Sequence, residues 1–238
     1  MYNKAVEVIR NAKEKDGFVN PWESYSFNEK DNYILKADID AINRLKLTHI
    51  IKRIDWGRKE ENGFENQIPV PINGNFYKAK YLLLYSNPAS EKTKLSKTLS
   101  EYDRLLKCFK LEEDAELVIP KDNIQWVKWY IGELDKFFNR LRNDNTKFNI
   151  NSFLEYFCFL NLSAYPTKSN EFDYSSKELD ELLKLESTKF IKKLVELAIK
   201  AGKEILIMRR SEGVWKVPKS SKNEFYLFEK LDSYVGDL

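Results

Sequence analysis

The chain has 238 residues, 42% of them hydrophobic, which is enough for one sizeable core or at most two small ones. Its formal net charge of +3 is too small to indicate a dedicated DNA-binding domain by itself, since such domains usually have a pI above about 9. No stretch approaches the roughly 20 apolar residues that span a bilayer, and the first residues lack the apolar core of a signal peptide, so we expect a cytoplasmic protein.

The first 69 residues show helical patterns and little recognisable chemistry. Apolar residues within Ala5–Ile9 predict one helix, and those within Ile39–Ile50 predict a second helix with a core-facing stripe. His49 is the only histidine, and its place on or beside that stripe favours a packed or surface role over catalysis. We expect a single domain in which this helical N-terminal elaboration precedes a core over 70–238.

A buried strand followed by a polar turn is predicted at Lys80–Ser90. Tyr81–Tyr85 is an unbroken apolar run, which is typical of a strand buried on both faces of a parallel sheet. Asn87-Pro88 ends it, because proline gives no ladder donor, and Ser90 can cap the helix that follows. Open α/β sheets bind ligands at such places, so Asn87 could orient a water or hold a polar substrate.

Three further helices are predicted from apolar spacing. They cover Leu95–Leu106, Asp122–Arg142 with an aromatic stripe typical of core packing, and a stretch from Ser175 to Ala198. The last of these starts with a capping box and is followed by Gly202, a residue suited to a helix C-terminus.

Three more strands are predicted between and after these helices, at Phe153–Leu162, at Glu204–Met208 and, more weakly, at Phe225–Phe228. Strands that alternate with helices favour parallel pairing with helices on both faces. The fold prediction is therefore a three-layer α/β/α sandwich around a central four-stranded parallel sheet.

Polar residues follow three of the predicted strands. Because the carboxyl ends of parallel strands share one edge of a sheet, that edge would gather Asn87, Asn161, Tyr165, Thr167, Arg209 and Arg210. Taken singly, each residue favours a turn or capping role, and their convergence is what indicates a site.

Basic residues are frequent near the end of the chain, at Lys203, Arg209, Arg210, Lys216, Lys219 and Lys222. They indicate either one basic edge or ordinary solvated surface charge. The two cysteines, Cys108 and Cys158, lie in apolar segments without a CxxC pattern, which is typical of buried, reduced thiols. We therefore expect no metal, no iron–sulfur centre and no cofactor.

Three segments, in this order, resemble the uracil-DNA glycosylase-like superfamily: Pro71–Pro88, Phe159–Pro166 and Ile205–Trp215, within a similarity over roughly residues 70–230. The resemblance implies a four-stranded parallel sheet between helices, with Asn87 orienting the water that attacks the sugar C1′. It also implies that Asn161, at the end of the second strand, lies near the edge of the base.

The same resemblance implies DNA as the partner, and the chemistry of base removal and the basic residues near the end of the chain add two further groups of candidate site residues. Base or substrate contacts would come from Tyr85, Ser86, Pro88, Asn161, Tyr165 and Thr167, with Tyr85 or Tyr165 stacking on the base. Contacts to the nucleic-acid backbone would come from Arg209, Arg210, Lys219, Ser220 and Lys222.

The sequence departs from the family pattern at two places. Ser86 and Ala89 stand where the first motif usually has glycines, and no His or Asn followed by Pro-Ser comes after the last strand, the nearest substitute being Ser220–Asn223. Three functions therefore stay open: a DNA glycosylase acting on a flipped or modified base, a catalytically inactive nucleic-acid- or protein-binding module, and a nucleoside or nucleotide hydrolase.

Overall fold

The computed structural model describes residues 1–25, 34–54, 69–86, 99–119, 124–142, 147–167, 174–208, 211–215 and 225–228. The helices are α1 Tyr2–Lys15, α2 Lys36–Leu45, α3 His49–Arg53, α4 Leu99–Lys110, α5 Ile124–Arg142, α6 Ile150–Tyr156, α7 Ser176–Leu182, α8 Glu186–Lys200 and α9 Glu212–Trp215. The strands are β1 Ile72–Asn73, β2 Tyr81–Tyr85, β3 Phe157–Asn161, β4 Glu204–Met208 and β5 Phe225–Phe228.

The five strands form one sheet in the order β1-β3-β2-β4-β5. The strands β3, β2, β4 and β5 are parallel, whereas the two-residue edge strand β1 runs antiparallel to β3. The predicted α/β class and the four parallel strands are therefore confirmed. The prediction of a purely parallel sheet is wrong, because β1, which precedes β2 in the chain, pairs with β3 in the antiparallel direction.

The two faces of the sheet pack against different helices, as the alternation of side chains along a strand requires. Leu82 and Leu84 of β2 face a core that includes residues of α1, α2, α4 and α8. Tyr81 and Leu83 face a second core that includes residues of α5 and the start of α6. All four side chains are buried, which explains why β2 reads as a continuous apolar run.

The N-terminal helices belong to the first of these cores. Ala5 and Ile9 of α1 lie in the same buried cluster as Leu82 and the apolar face of α8. Within the described part of the chain, no helix is long and apolar enough to cross a membrane.

The strand predicted over Phe153–Leu162 is shorter than expected, because its first part is the end of α6. Asn149 and Ser152 form a capping box, in which Asn149 Oδ1 accepts from Ser152 N at 2.9 Å and Ser152 Oγ accepts from Asn149 N at 2.8 Å. Phe153 then packs from the helix into the second core. An apolar run does not by itself separate a buried strand from a buried helix.

The helix predicted from Ser175 is two helices, α7 and α8. Its capping box with Glu178 is confirmed, and the expected C-terminal glycine, Gly202, follows α8 with a φ of 78°. The second helix starts afresh at Glu186, where the buried Asp38 carboxylate accepts from Ser187 N at 3.0 Å. A carboxylate at that position satisfies a free amide of the first turn and complements the helix dipole. Similarly, the region Ile39–Ile50 is divided between α2 and α3, which are separated at Lys46, whose φ is 53°.

Substitution of Gly74 tests how closely the chain after β1 packs against β3. Its φ is +117°, and an added Cβ would lie 2.8 Å from the carbonyl oxygen of Phe157. We expect Gly74→Ala to lower the free energy of unfolding by about 1–3 kcal/mol. Gly132→Ala is the matched control, because Gly132 lies within α5 with no atom near an added Cβ, and it should be neutral or stabilising by up to about 1 kcal/mol. Equal midpoints for the two variants in urea unfolding would contradict this packing.

Candidate functional site

The segments that follow β2, β3 and β4 meet at the carboxyl end of β2. The carbonyl oxygen of Tyr85 accepts from Leu162 N at 2.9 Å and from Trp215 Nε1 at 3.1 Å. The carbonyl oxygen of the next residue, Ser86, accepts from Ser163 N at 2.8 Å. The segments that follow β2, β3 and β4 are thus tied together at one place.

The carboxyl end of β2 lies at the topological switch point of the sheet, between β2 and β4. From β2 the chain continues to β3 on one side, and from β4 it continues to β5 on the other, although β2 and β4 are neighbours. In open α/β sheets a crevice forms outside the carboxyl ends of two such strands, and ligands bind there. The residue that follows Ser86 in the chain is Asn87.

Several predicted site residues lie outside the described residues: Asn87, Pro88, Arg209, Arg210, Lys219, Ser220 and Lys222. Lys219, Ser220 and Lys222 precede β5 in the chain, whereas the final motif implied by the resemblance would follow the last strand.

Asn161 is the last residue of β3, and it lies beside Tyr85 in the register of the sheet. Its side chain is 7% exposed, and its Nδ2 donates to the carbonyl oxygen of Val70 at 2.7 Å. Its Oδ1 has no hydrogen-bond partner among the described residues. One amide N–H of Asn161 is therefore used to hold the chain before β1, and the Oδ1 and the second N–H remain for another partner.

Tyr85 is half-buried and belongs to an aromatic group on the α5 face of the sheet. Its hydroxyl lies 2.7 Å from that of Tyr130, and its ring centroid lies 5.8 Å from that of Phe159. Burial raises the pKa of Tyr130 well above its usual value, so the Tyr130 phenol stays protonated at neutral pH. A ring fixed in this way is a suitable wall for a planar ligand.

Tyr165 and Thr167 link the sheet to the N-terminal helices. The buried Tyr165 hydroxyl donates to Asp38 Oδ2 at 2.6 Å and accepts from Leu35 N at 3.1 Å. Burial raises the pKa of Asp38, although the hydrogen bonds it accepts oppose that change. Thr167 is buried and forms an isolated antiparallel bridge with Ile54. The structure thus brings Tyr85, Ser86 and Asn161 together and directs the Tyr165 hydroxyl to α2.

Glu101 is a buried acid that the sequence analysis did not single out. It is 5% exposed, its Oε2 is buried without a hydrogen-bond partner, and its carboxylate forms no ion pair among the described residues. It precedes the buried residues Leu105 and Cys108 by four and seven positions, so it continues the core-facing side of α4. The sequence signal for this buried acid is its spacing, which places Glu101 within the apolar stripe of α4. Such a carboxylate can accept from an N–H or O–H group of a ligand.

Lys203 does not belong to a basic edge, and that interpretation is wrong for this residue. It is 1% exposed, and its Nζ donates to the carbonyl oxygens of Tyr77, at 3.1 Å, and of Ala79. Burial lowers its pKa to about 8. Its aliphatic stem and ammonium group therefore fasten the chain that leads into β2.

The cysteines and the histidine match the roles that the sequence favours. Cys108 and Cys158 are buried free thiols. The His49 side chain is on the surface, with its Nδ1 2.8 Å from Glu181 Oε1. No group of three or more His, Cys, Asp or Glu side chains able to hold a metal ion occurs among the residues that the structure describes.

Comparisons of the chain with models of known protein families, with curated proteins and with solved structures find no match.

The buried Oε2 of Glu101, which has no hydrogen-bond partner among the described residues, gives a prediction about stability. Because a buried, unsatisfied polar group costs about 1–3 kcal/mol, Glu101→Gln should keep or raise the free energy of unfolding, by up to about 1 kcal/mol. Asp103→Asn on the same helix removes an exposed charge and should change stability by less than about 0.5 kcal/mol. Chemical denaturation of both variants measures this. A marked loss of stability in Glu101→Gln alone would reveal a partner for the carboxylate.

Proposed function

We propose that the protein is a divergent member of the uracil-DNA glycosylase-like superfamily that binds a flipped or modified base at the carboxyl edge of β2, β3 and β4. The reaction proposed is hydrolysis of the N-glycosidic bond by a water that Asn87 orients. The observation that carries the proposal is the joining of the segments after these three strands at the Tyr85 and Ser86 carbonyls, directly before Asn87.

The arrangement of the sheet supports this proposal. Four parallel strands with helices on both faces are what the resemblance implies, and the Asn87-Pro88 segment follows the central strand β2. The neighbouring strand β3 ends in Asn161, whose Oδ1 has no partner among the described residues. A carboxamide that can accept and donate is suited to the pairing edge of a base.

The chemistry requires few groups. Loss of a base passes through a sugar with oxocarbenium character, so the protein has to place a water on one face and stabilise negative charge on the departing base. In the proposed site Asn87 places the water, Asn161 contacts the base, and the fixed ring of Tyr85 forms one wall. Arg209 and Arg210, which follow β4 in the chain, would contact the DNA backbone.

A second candidate is a binding module without turnover. Two observations favour it: one amide hydrogen of Asn161 is already bound to Val70, and the chain has no histidine after His49 to stabilise a departing base. Such a module would bind nucleic acid with an affinity whose logarithm falls linearly with the logarithm of salt concentration.

The test of the reaction uses DNA oligonucleotides that each carry one altered base, uracil included, and a parallel set of free nucleosides. Incubation followed by heating in alkali breaks the strand at abasic sites. We expect strand breaks with at least one base, a loss of about 100-fold or more in rate for Asn87→Ala, and an unchanged rate for the control Asn43→Ala, an exposed position on α2.

Three results separate the candidates. Full activity of Asn87→Ala would contradict the water-orienting role. Binding without cleavage across the whole panel would favour the module, and release of base from nucleosides alone would favour the nucleoside hydrolase.

Asn161 should influence which base is chosen. We expect Asn161→Ala to broaden or weaken base preference and also to cost about 1 kcal/mol of stability, because the bond to Val70 is lost. Asn73→Ala is the matched control: Asn73 also uses its amide to hold the chain, donating to and accepting from Val118 at 2.9 and 2.8 Å. It should lose stability without a change in base preference. An unchanged preference in Asn161→Ala would contradict the base contact.

A further inference from the structure

The segment before β1 holds the last residue of β3 through its main chain. Val70 lies between Pro69 and Pro71, and both prolines are buried. The carbonyl oxygen of Val70 accepts from Asn161 Nδ2 at 2.7 Å, and that of Pro71 accepts from Asn161 N at 3.0 Å. Neighbouring carbonyls of one segment therefore bind both the side chain and the main chain of Asn161.

The other side of Val70 is bound as well. Its N–H donates to the carbonyl oxygen of Ala164 at 2.7 Å. Ala164 is fully buried, and the next residue, Tyr165, is anchored through its hydroxyl to Asp38. Proline fixes its own φ at about −65° and restricts the residue before it to extended backbone, so few conformations are open to the Pro69–Pro71 segment. Val70 is therefore a rigid link between Ala164 and the carboxamide of Asn161.

The bond to Val70 decides which way the Asn161 carboxamide is turned. The last torsion of an asparagine side chain is broad, so the orientation of its amide depends on hydrogen bonds. If the amide turned over, Oδ1 would face the Val70 carbonyl oxygen, and two acceptors would meet. The link thus selects one of two orientations and leaves Oδ1, which has no partner among the described residues, for a ligand.

We propose that Pro71 is a positioning residue for Asn161: it restricts Val70, and the Val70 carbonyl keeps the carboxamide in one orientation. The effect on base choice rests on the proposed function. A carboxamide that turns over presents a donor where its acceptor was, so a base that matches one orientation is mismatched in the other. Loss of the restriction should therefore reduce the discrimination between bases.

The test compares Pro71→Ala with Pro21→Ala. Both substitutions remove a proline ring outside the helices and strands, but Pro21 lies in a turn beside Trp22 of the first core. Both variants lose the same restriction on the unfolded chain, so that effect is matched. All proteins are measured at least about 15 °C below their melting temperatures, so that unfolding does not enter the results.

The first readout needs no DNA. NMR of the ¹⁵N-labelled protein follows solvent exchange of the Asn161 side-chain amide, which bonds to Val70, and of the Asn161 main-chain N–H, which bonds to Pro71. In Pro71→Ala we expect both to exchange about tenfold faster than in the wild type, with unchanged rates in Pro21→Ala. Equal exchange in the two variants would overturn the proposal.

The second readout is the ratio of kcat/KM between the best and the next-best base of the panel. We expect this ratio to fall about tenfold in Pro71→Ala and to stay unchanged in Pro21→Ala. An unchanged ratio in Pro71→Ala together with faster exchange would overturn its role in base choice.

The two readouts separate this inference from the proposed function. If the wild-type protein releases no base from any substrate, the proposed function fails. Faster exchange at Asn161 in Pro71→Ala alone would then still support the positioning of the carboxamide, and unchanged exchange would overturn it.

Discussion

The pairing of β2 with a parallel neighbour on each side is the constraint on which the rest of the molecule depends. Tyr81–Tyr85 bonds to β3 along its full length and to β4 over its first four residues. Its Tyr81–Leu84 side chains are buried on both faces. A slip of one residue would move every side chain of β2 into the opposite core, which is packed around different side chains. The carboxyl ends of β2 and β3 are therefore fixed side by side, and the Tyr85 carbonyl becomes the point where neighbouring segments attach.

Some of this structure could be predicted from the sequence, where local patterns agree with tertiary packing. The run Tyr81–Tyr85, the strand Glu204–Met208 and the capping box at Ser175 are such cases, and all three are confirmed. Phe153–Leu162 is the opposite case, because an apolar run is compatible with a buried helix, and a capping box at Asn149 decides it. At the start of α8, Ser187 N donates to Asp38, which is 149 positions away in the chain, so this contact has no local sequence signal.

In the candidate site too, local sequence predicts which residues lie near one another, but contacts between residues far apart in the chain are not predicted. That polar residues follow parallel strands can be seen in the sequence, and Tyr85, Ser86 and Asn161 do lie together. The partners of their polar atoms could not be foreseen, since Val70 and Trp215 come from segments 91 and 130 positions away. For the same reason, Lys203 was expected on a surface and is buried against carbonyl groups, and the buried position of Glu101 was missed.

The base-binding site that we propose is the carboxyl edge formed by β2, β3 and β4. The most direct measurement is an NMR titration of the ¹⁵N-labelled protein with an oligonucleotide that carries a non-hydrolysable nucleoside. We expect shifts confined mainly to the Asn161 side-chain amide, the Trp215 indole N–H and the amides near Ser86. Shifts located instead on the surface of α1 and α8, or no shifts at saturating DNA, would contradict it.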